Sequence, residues 1–236
     1  MIEHDLFGKP LHTFPDHALA YDIDAPIRPE VFMTVRLHRG DLPDLSRYTG
    51  AVAIDTETMG LNPHRDRLCV VQLSPGDGSA DVVQIPKGHT DAPNLKALLA
   101  NPGVTKIFHF ARFDVAVLYQ TFGVMTGPIY CTKIASRLTR TYTDRHGLKD
   151  LVREVLNIDL SKQQQSSDWG SDSLTEPQLA YAASDVLHLH ALRERLDAML
   201  VREGRSQLAQ SCFDFLPTRA LLDLQGWAEE DIFAHS

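Results

Sequence analysis

Two rhythms of apolar residues divide this chain. Residues 51–54 (Ala-Val-Ala-Ile) are continuously apolar and run into acids, the pattern of a central strand covered on both faces. The runs 68–73 (LCVVQL) and 80–85 (ADVVQI) follow it, separated by the turn Ser74-Pro75-Gly76-Asp77-Gly78. Met33 opens MTVRLHRGDLP, which reads as the first strand. The rhythm then changes. Residues 93–100 predict a short helix, 105–110 (TKIFHF) a strand, and 111–122 a helix closed by Gly123. Further helical stretches are expected at 131–138 and 147–156, and the polar stretch 157–174 reads as a loop. Thr175-Glu-Pro-Gln supplies a capping-box start, with Gln178 three residues on, for a helix running to about residue 201. Strands first, then strand–helix units, predict an α/β domain with a mixed sheet.

The flanks carry weaker patterns. Residues 1–32 hold Pro10, Pro15, Pro26 and Pro29 and no sustained period, so they read as an N-terminal arm. The working domain is expected over 33–203. Residues 204–236 are too few for a normal second domain and read as a C-terminal tail.

Composition narrows the classes. With 43% apolar and 23% charged residues, the 236-residue chain can build a sizeable core, which excludes disorder throughout. The balance of 23 basic against 31 acidic residues, a net of −8, argues against holding nucleic acid by bulk charge. Acids that bind cations remain compatible with it. Cys69, Cys131 and Cys212 are sparse, odd in number and form no CxxC, so a zinc ribbon or redox dithiol is not expected and a reducing compartment is. No apolar run reaches the ~18 residues of a membrane span, and the N-terminus lacks a secretory pattern. A cytoplasmic location without membrane contact is the expectation.

Four acids stand where apolar residues are expected. Asp55 and Glu57, two apart at the end of the most buried strand, share one face. Paired carboxylates must share a proton or find a cation, although a solvated strand end would also tolerate them. Asp114 falls in the first turn of an otherwise apolar helix, where the helix dipole alone could account for it. Asp185 lies within the stripe Tyr181, Asp185, Leu189, Leu192 and Leu196. A carboxylate there needs a cation or strong donors, and a Tyr–Asp hydrogen bond or an ion pair with an Arg or Lys from another element is the structural alternative. Taken together, oxygen-only ligands from three elements select a hard ion, Mg²⁺ or Mn²⁺, over Zn²⁺.

These residues carry a family resemblance. The segments AIDTETMGLNPHRDRLCVVQL, KIFHFARFDVAVL and YAASDVLHL resemble the three motifs of ribonuclease D-type 3′–5′ exonucleases of the tyrosine class. GLKDLV (147–152) and KQQQSSDW (162–169) resemble their linking segments, and the similarity covers roughly 45–200. Ala180 stands where the sister class has histidine. Two departures are visible. His109 is followed by Phe110 and Ala111 rather than His-Asn, and Cys131 stands where an aspartate is common.

The resemblance implies a ribonuclease H-like fold, a mixed central sheet flanked by helices, in which the first motif strand is central and the next antiparallel to it. It implies a single catalytic domain that hydrolyses single-stranded RNA from a free 3′ end, releasing nucleoside 5′-monophosphates with two ions, Mg²⁺ or Mn²⁺. DNA as the substrate and a silent nucleic-acid-binding module are the rival readings. Asp55 would bridge the ions, Glu57 and Asp185 hold the one that activates water, and Asp114 help hold the other. Tyr181 would orient that water. Thr58, Met59 and Leu61 are expected at the terminal nucleotide, although packing alone would explain the last two. His109, Lys162 and Gln165 are further substrate-binding candidates, His109 with packing as its alternative. Within 131–153, Lys133, Arg137, Arg140, Arg145, Lys149 and Arg153 face only Asp144 and Asp150, a local +4 that fits phosphate contacts or a solvated helix face.

Overall fold

The computed structural model describes residues 34–161 and 163–235. The arm expected over 1–32 lies outside the described residues.

Six strands form one sheet: β1 (Thr34–Arg39), β2 (Ala51–Thr58), β3 (Leu68–Ser74), β4 (Ser79–Gln84), β5 (Thr105–Phe108) and β6 (Ile129–Cys131), in the order β1-β4-β3-β2-β5-β6. β3 runs antiparallel to both its neighbours, while the pairs β1–β4, β2–β5 and β5–β6 are parallel. The sheet is therefore mixed, with the acid-bearing β2 inside it and its successor antiparallel, as expected. β3 and β4 are buried at every position, which is why their sequences lack a polar alternation. β6 has three residues and gives too short a pattern to predict.

Among the described residues, seven α-helices surround the sheet: α1 (Pro93–Ala100), α2 (Ala111–Phe122), α3 (Thr132–Thr139), α4 (Leu148–Leu156), α5 (Glu176–Leu187), α6 (Leu189–Arg202) and α7 (Ser206–Leu222). α2 ends on Gly123, which takes the left-handed conformation and donates its N–H to Tyr119 O, the termination that the glycine predicts. α5 starts at the expected capping box between Thr175 and Gln178.

Two expectations need correction. The helix expected from 175 to about 201 is two helices, parted at His188. α5 packs on β1 to β4, whereas α6 packs on α3, α4 and β5. Two sets of neighbours divide one apolar stripe, and neither glycine nor proline marks the break. The segment expected as a tail also carries a seventeen-residue helix, α7, whose Ala209, Phe213, Leu216 and Ala220 enter the core against α2, α3 and β6. Their spacing of four, three and four residues is helical, and Pro217 inside the run disguises it. Burying Phe213, whose ring lies 4.7 Å from that of Tyr130, contributes about 2 kcal/mol.

Candidate active site

The site is assembled where β2, α2 and α5 meet. The pleat of β2 puts Asp55 and Glu57 on one face. Asp185 comes from the last turn of α5, one turn beyond Tyr181. Carboxylate oxygens of Asp55, Glu57 and Asp185 all lie within 4.8 Å of one another. Asp114, in the first turn of α2 and 3% exposed, stands just outside this set, where its carboxylate accepts a 2.7 Å hydrogen bond from Thr56 Oγ1. It is close enough to raise the proton affinity of Glu57 and to be raised in turn by Asp55.

The electrostatics of the four acids are alike. Burial, opposed by the Thr56 backbone and the Gln72 amide, pushes Asp55 up to about 7. Burial and then the charges of Asp55, Asp185 and Asp114 push Glu57 up to about 10. Burial and the charge of Asp55 hold Asp114 and Asp185 well above the ordinary carboxylate range. Every ion pair among the described residues lies elsewhere. Three converging acids with Asp114 beside them, no basic partner among the described residues and only oxygen donors fit divalent metal ions of the hard class.

Tyr181 packs against Trp169, their ring centroids 6.0 Å apart. Burial and the charges of Asp185, Glu57 and Asp55 raise its hydroxyl, so it keeps its proton at neutral pH. Beside it opens a cleft of about 160 Å³ lined by Tyr181, Asp185, Lys149, Ser161, Gln165 and the start of α4. Gln165 is thus brought into one cleft with Tyr181 and Asp185.

The other candidates separate. Leu61 is 85% exposed and Met59 53%, so neither is spent on the core. Met59 is met by the loop after Trp169, where a Cβ on Gly170 would lie 2.3 Å from Met59 Sδ. Thr58 turns its hydroxyl to Gly60 O, inside its own loop. His109 bonds through Nδ1 to Thr132 Oγ1 at 2.9 Å, and burial lowers it to about 3, an internal partnership. Lys162 lies outside the described residues. The basic window also divides. Arg140 is fully buried and paired with Glu154, so it is structural, and Arg153 pairs with Asp150. Lys149 lines the cleft.

Sequence reasoning missed Gln72, Thr56 and Trp169. Gln72 sits opposite Asp55 in the register of β3 and donates to Asp55 Oδ2 at 2.7 Å. Its signal is a lone amide inside LCVVQL, at a position that is wholly buried.

The comparisons agree with this geometry. A family model described as 3′–5′ exonuclease matches residues 42–201, and the chain belongs to that family. Its relatives are of the ribonuclease D type. It is similar to Brucella melitensis NrnC with bound Mg²⁺, at 62% identity and a TM-score of 0.84, over 86% of this chain and 100% of that one. Brucella melitensis NrnC bound to pGG gives 63% identity and a TM-score of 0.85 over the same shares. Ribonuclease D of Acidiphilium cryptum is 37% identical over 154 residues, 65% of this chain but 39% of that relative's length.

Proposed function

We propose that the chain is a metal-dependent 3′–5′ exoribonuclease that removes nucleotides from the free 3′ end of short single-stranded RNA and releases nucleoside 5′-monophosphates. The observation that carries this reading is the convergence of the Asp55, Glu57 and Asp185 carboxylates, which pair with no Lys, Arg or His among the described residues. Asp55, Glu57, Asp114 and Asp185 would hold two divalent ions, Mg²⁺ or Mn²⁺. When bound, such ions acidify a water and stabilise the departing oxygen.

The chain's own residues supply positioning. Gln72 fixes the Asp55 carboxylate from the neighbouring strand and Thr56 fixes that of Asp114. Tyr181, which keeps its proton, acts on the attacking water by orientation and hydrogen bonding, not as a base. Trp169 restrains the Tyr181 ring. The exposed Met59 and Leu61 offer apolar surface to the terminal nucleotide, and Lys149 and Gln165 offer donors to its phosphates. The pGG bound to the NrnC relative supports a short oligomer as the substrate. No helix among the described residues is long and apolar enough to cross a membrane. A cytoplasmic location belongs to the same proposal, supported by three free cysteines.

The test is digestion of a 5′-labelled oligoribonucleotide and its 2′-deoxy counterpart, with Mg²⁺, with Mn²⁺ and with chelator. The expected result is stepwise 3′ shortening of the RNA that chelator abolishes. Equal digestion by wild type and Asp185→Asn would falsify the enzyme reading, and faster digestion of the deoxy strand would move it to DNA.

A further inference from the structure

A cavity of about 560 Å³ opens between the start of α2, helix α3 and helix α7, sharing no lining residue with the cleft at Tyr181 and Asp185. Its walls are partly apolar, with Ile134, Phe215 and Leu216, and its charged groups are Arg112, Arg219, Lys133 and Arg137. Asp223 engages two of these cations, accepting from Arg112 Nε at 2.5 Å and pairing with Arg219. Lys133 and Arg137 have no acidic partner among the described residues. Burial and the charge of Arg137 hold the Lys133 ammonium below its ordinary value, so an anion here would relieve both groups.

The cavity's rim adds a second, independent feature. Phe110 has φ +75°, the left-handed region that a bulky side chain avoids. Its ring is nonetheless 43% exposed, with Lys133 Nζ 4.1 Å from the ring centroid. Phe110 immediately precedes α2 and is four residues, about one turn, before Asp114. One end of the cavity is therefore lined by the residue that leads into α2, the helix that supplies Asp114.

An exposed aromatic face beside unpaired cations is what a nucleic-acid strand uses, a ring for a base and ammonium or guanidinium groups for phosphates. We propose that this cavity is the subsite for the RNA on the 5′ side of the scissile bond, with a base against Phe110 and phosphates at Lys133 and Arg137. The proposal rests on the exoribonuclease reading and extends it to a surface beyond the acids. It gives a chain of net charge −8 a local means of holding a polyanion.

Steady-state cleavage of a 5′-labelled oligoribonucleotide tests it, using the full chain, Phe110→Ala, Phe110→Trp and the double variant Lys133→Gln/Arg137→Gln, with light scattering on each. Phe110→Ala should raise KM about tenfold. Phe110→Trp, which keeps a stacking face, should stay near wild type. The double variant should flatten the dependence of log KM on log salt by about 1.4, or about 0.7 for each lost contact to a single strand. In each case KM should move more than kcat. Wild-type KM in Phe110→Ala and the double variant overturns the subsite while leaving the exonuclease reading intact. So does a KM change that accompanies a change in mass, which would make this face a contact between copies of the chain. Absence of Mg²⁺-dependent cleavage by the wild type overturns both.

Discussion

One buried acid and one cluster of buried and half-buried acids in this molecule have opposite surroundings. Asp81, 4% exposed on β4, accepts hydrogen bonds from Arg36 Nε (2.7 Å), His38 Nε2 (2.9 Å), Arg47 (2.8 Å) and the Tyr48 hydroxyl (2.6 Å). Those partners come from β1 and the segment after it, so one carboxylate fastens the edge of the sheet. Among the described residues, Asp55, Glu57, Asp114 and Asp185 receive only the Gln72 amide, the Thr56 hydroxyl, local backbone groups and Tyr181, and each is raised in pKa by burial. A buried carboxylate that has its cations belongs to the architecture. Crowded, largely desolvated carboxylates that repel one another have been kept for something else, because folding alone would remove them.

Substitutions should therefore act in opposite directions at the two places. The largest effect is expected from Asp185→Asn: RNA cleavage falls about a thousandfold, as several kcal/mol of charge stabilisation is lost. In the metal-free protein the same change removes a repelling charge, so thermal denaturation should show Tm unchanged or raised. Asp81→Ala should instead leave Arg36 and Arg47 without their shared acid and cost about 3–5 kcal/mol, or roughly 10 °C in Tm. A fall in Tm for Asp185→Asn as large as that for Asp81→Ala would erase the distinction. Next in size is the response to metal. At a hundredfold excess over its dissociation constant, Mg²⁺ should add about 2.7 kcal/mol to wild type and raise Tm, with little gain in Asp185→Asn. Differential scanning calorimetry with and without chelator reads this directly.

The contrast also explains what was legible in the sequence. Local rules gave five of the strands, the C-terminal end of α2 and the start of α5, because these follow from apolar runs, Gly123 and the Thr175–Gln178 box. The four acids stood out because each interrupts an apolar pattern. Asp81 did so as well, within ADVVQI, yet nothing in the sequence separates a satisfied acid from an unsatisfied one. Its donors arrive from 33 to 45 residues away, and only folding brings them to it. The same limit hid Gln72 and Trp169, whose importance lies in a cross-strand register and a ring contact. It hid the burial of Arg140 too, which by count of charges looked like part of a phosphate-binding face. Helix α7 was missed for a different reason, since a helical spacing of core residues surrounds a proline.

The effect most specific to the unsatisfied group lies in the pH dependence of stability. Asp55 is raised from an ordinary value of 3.8 to about 7 in the folded, metal-free chain. The folded state then binds the proton more tightly than the unfolded state. The resulting stabilisation is complete below about pH 4 and is lost as pH rises towards 7. His109 opposes this in part: it is lowered from 6.5 to about 3, so the folded state resists its protonation and gains stability as pH rises over that window. The two are separated by difference. In chelator, the Tm of wild type relative to Asp55→Asn should decline between pH 4 and 7, while relative to His109→Gln it should rise over pH 3 to 6.5. Saturating Mg²⁺ should abolish the first trend, because a bound cation replaces the proton, and leave the second in place. A decline relative to Asp55→Asn that persists unchanged in Mg²⁺ would mean that the proton on this carboxylate and the metal do not compete for one site.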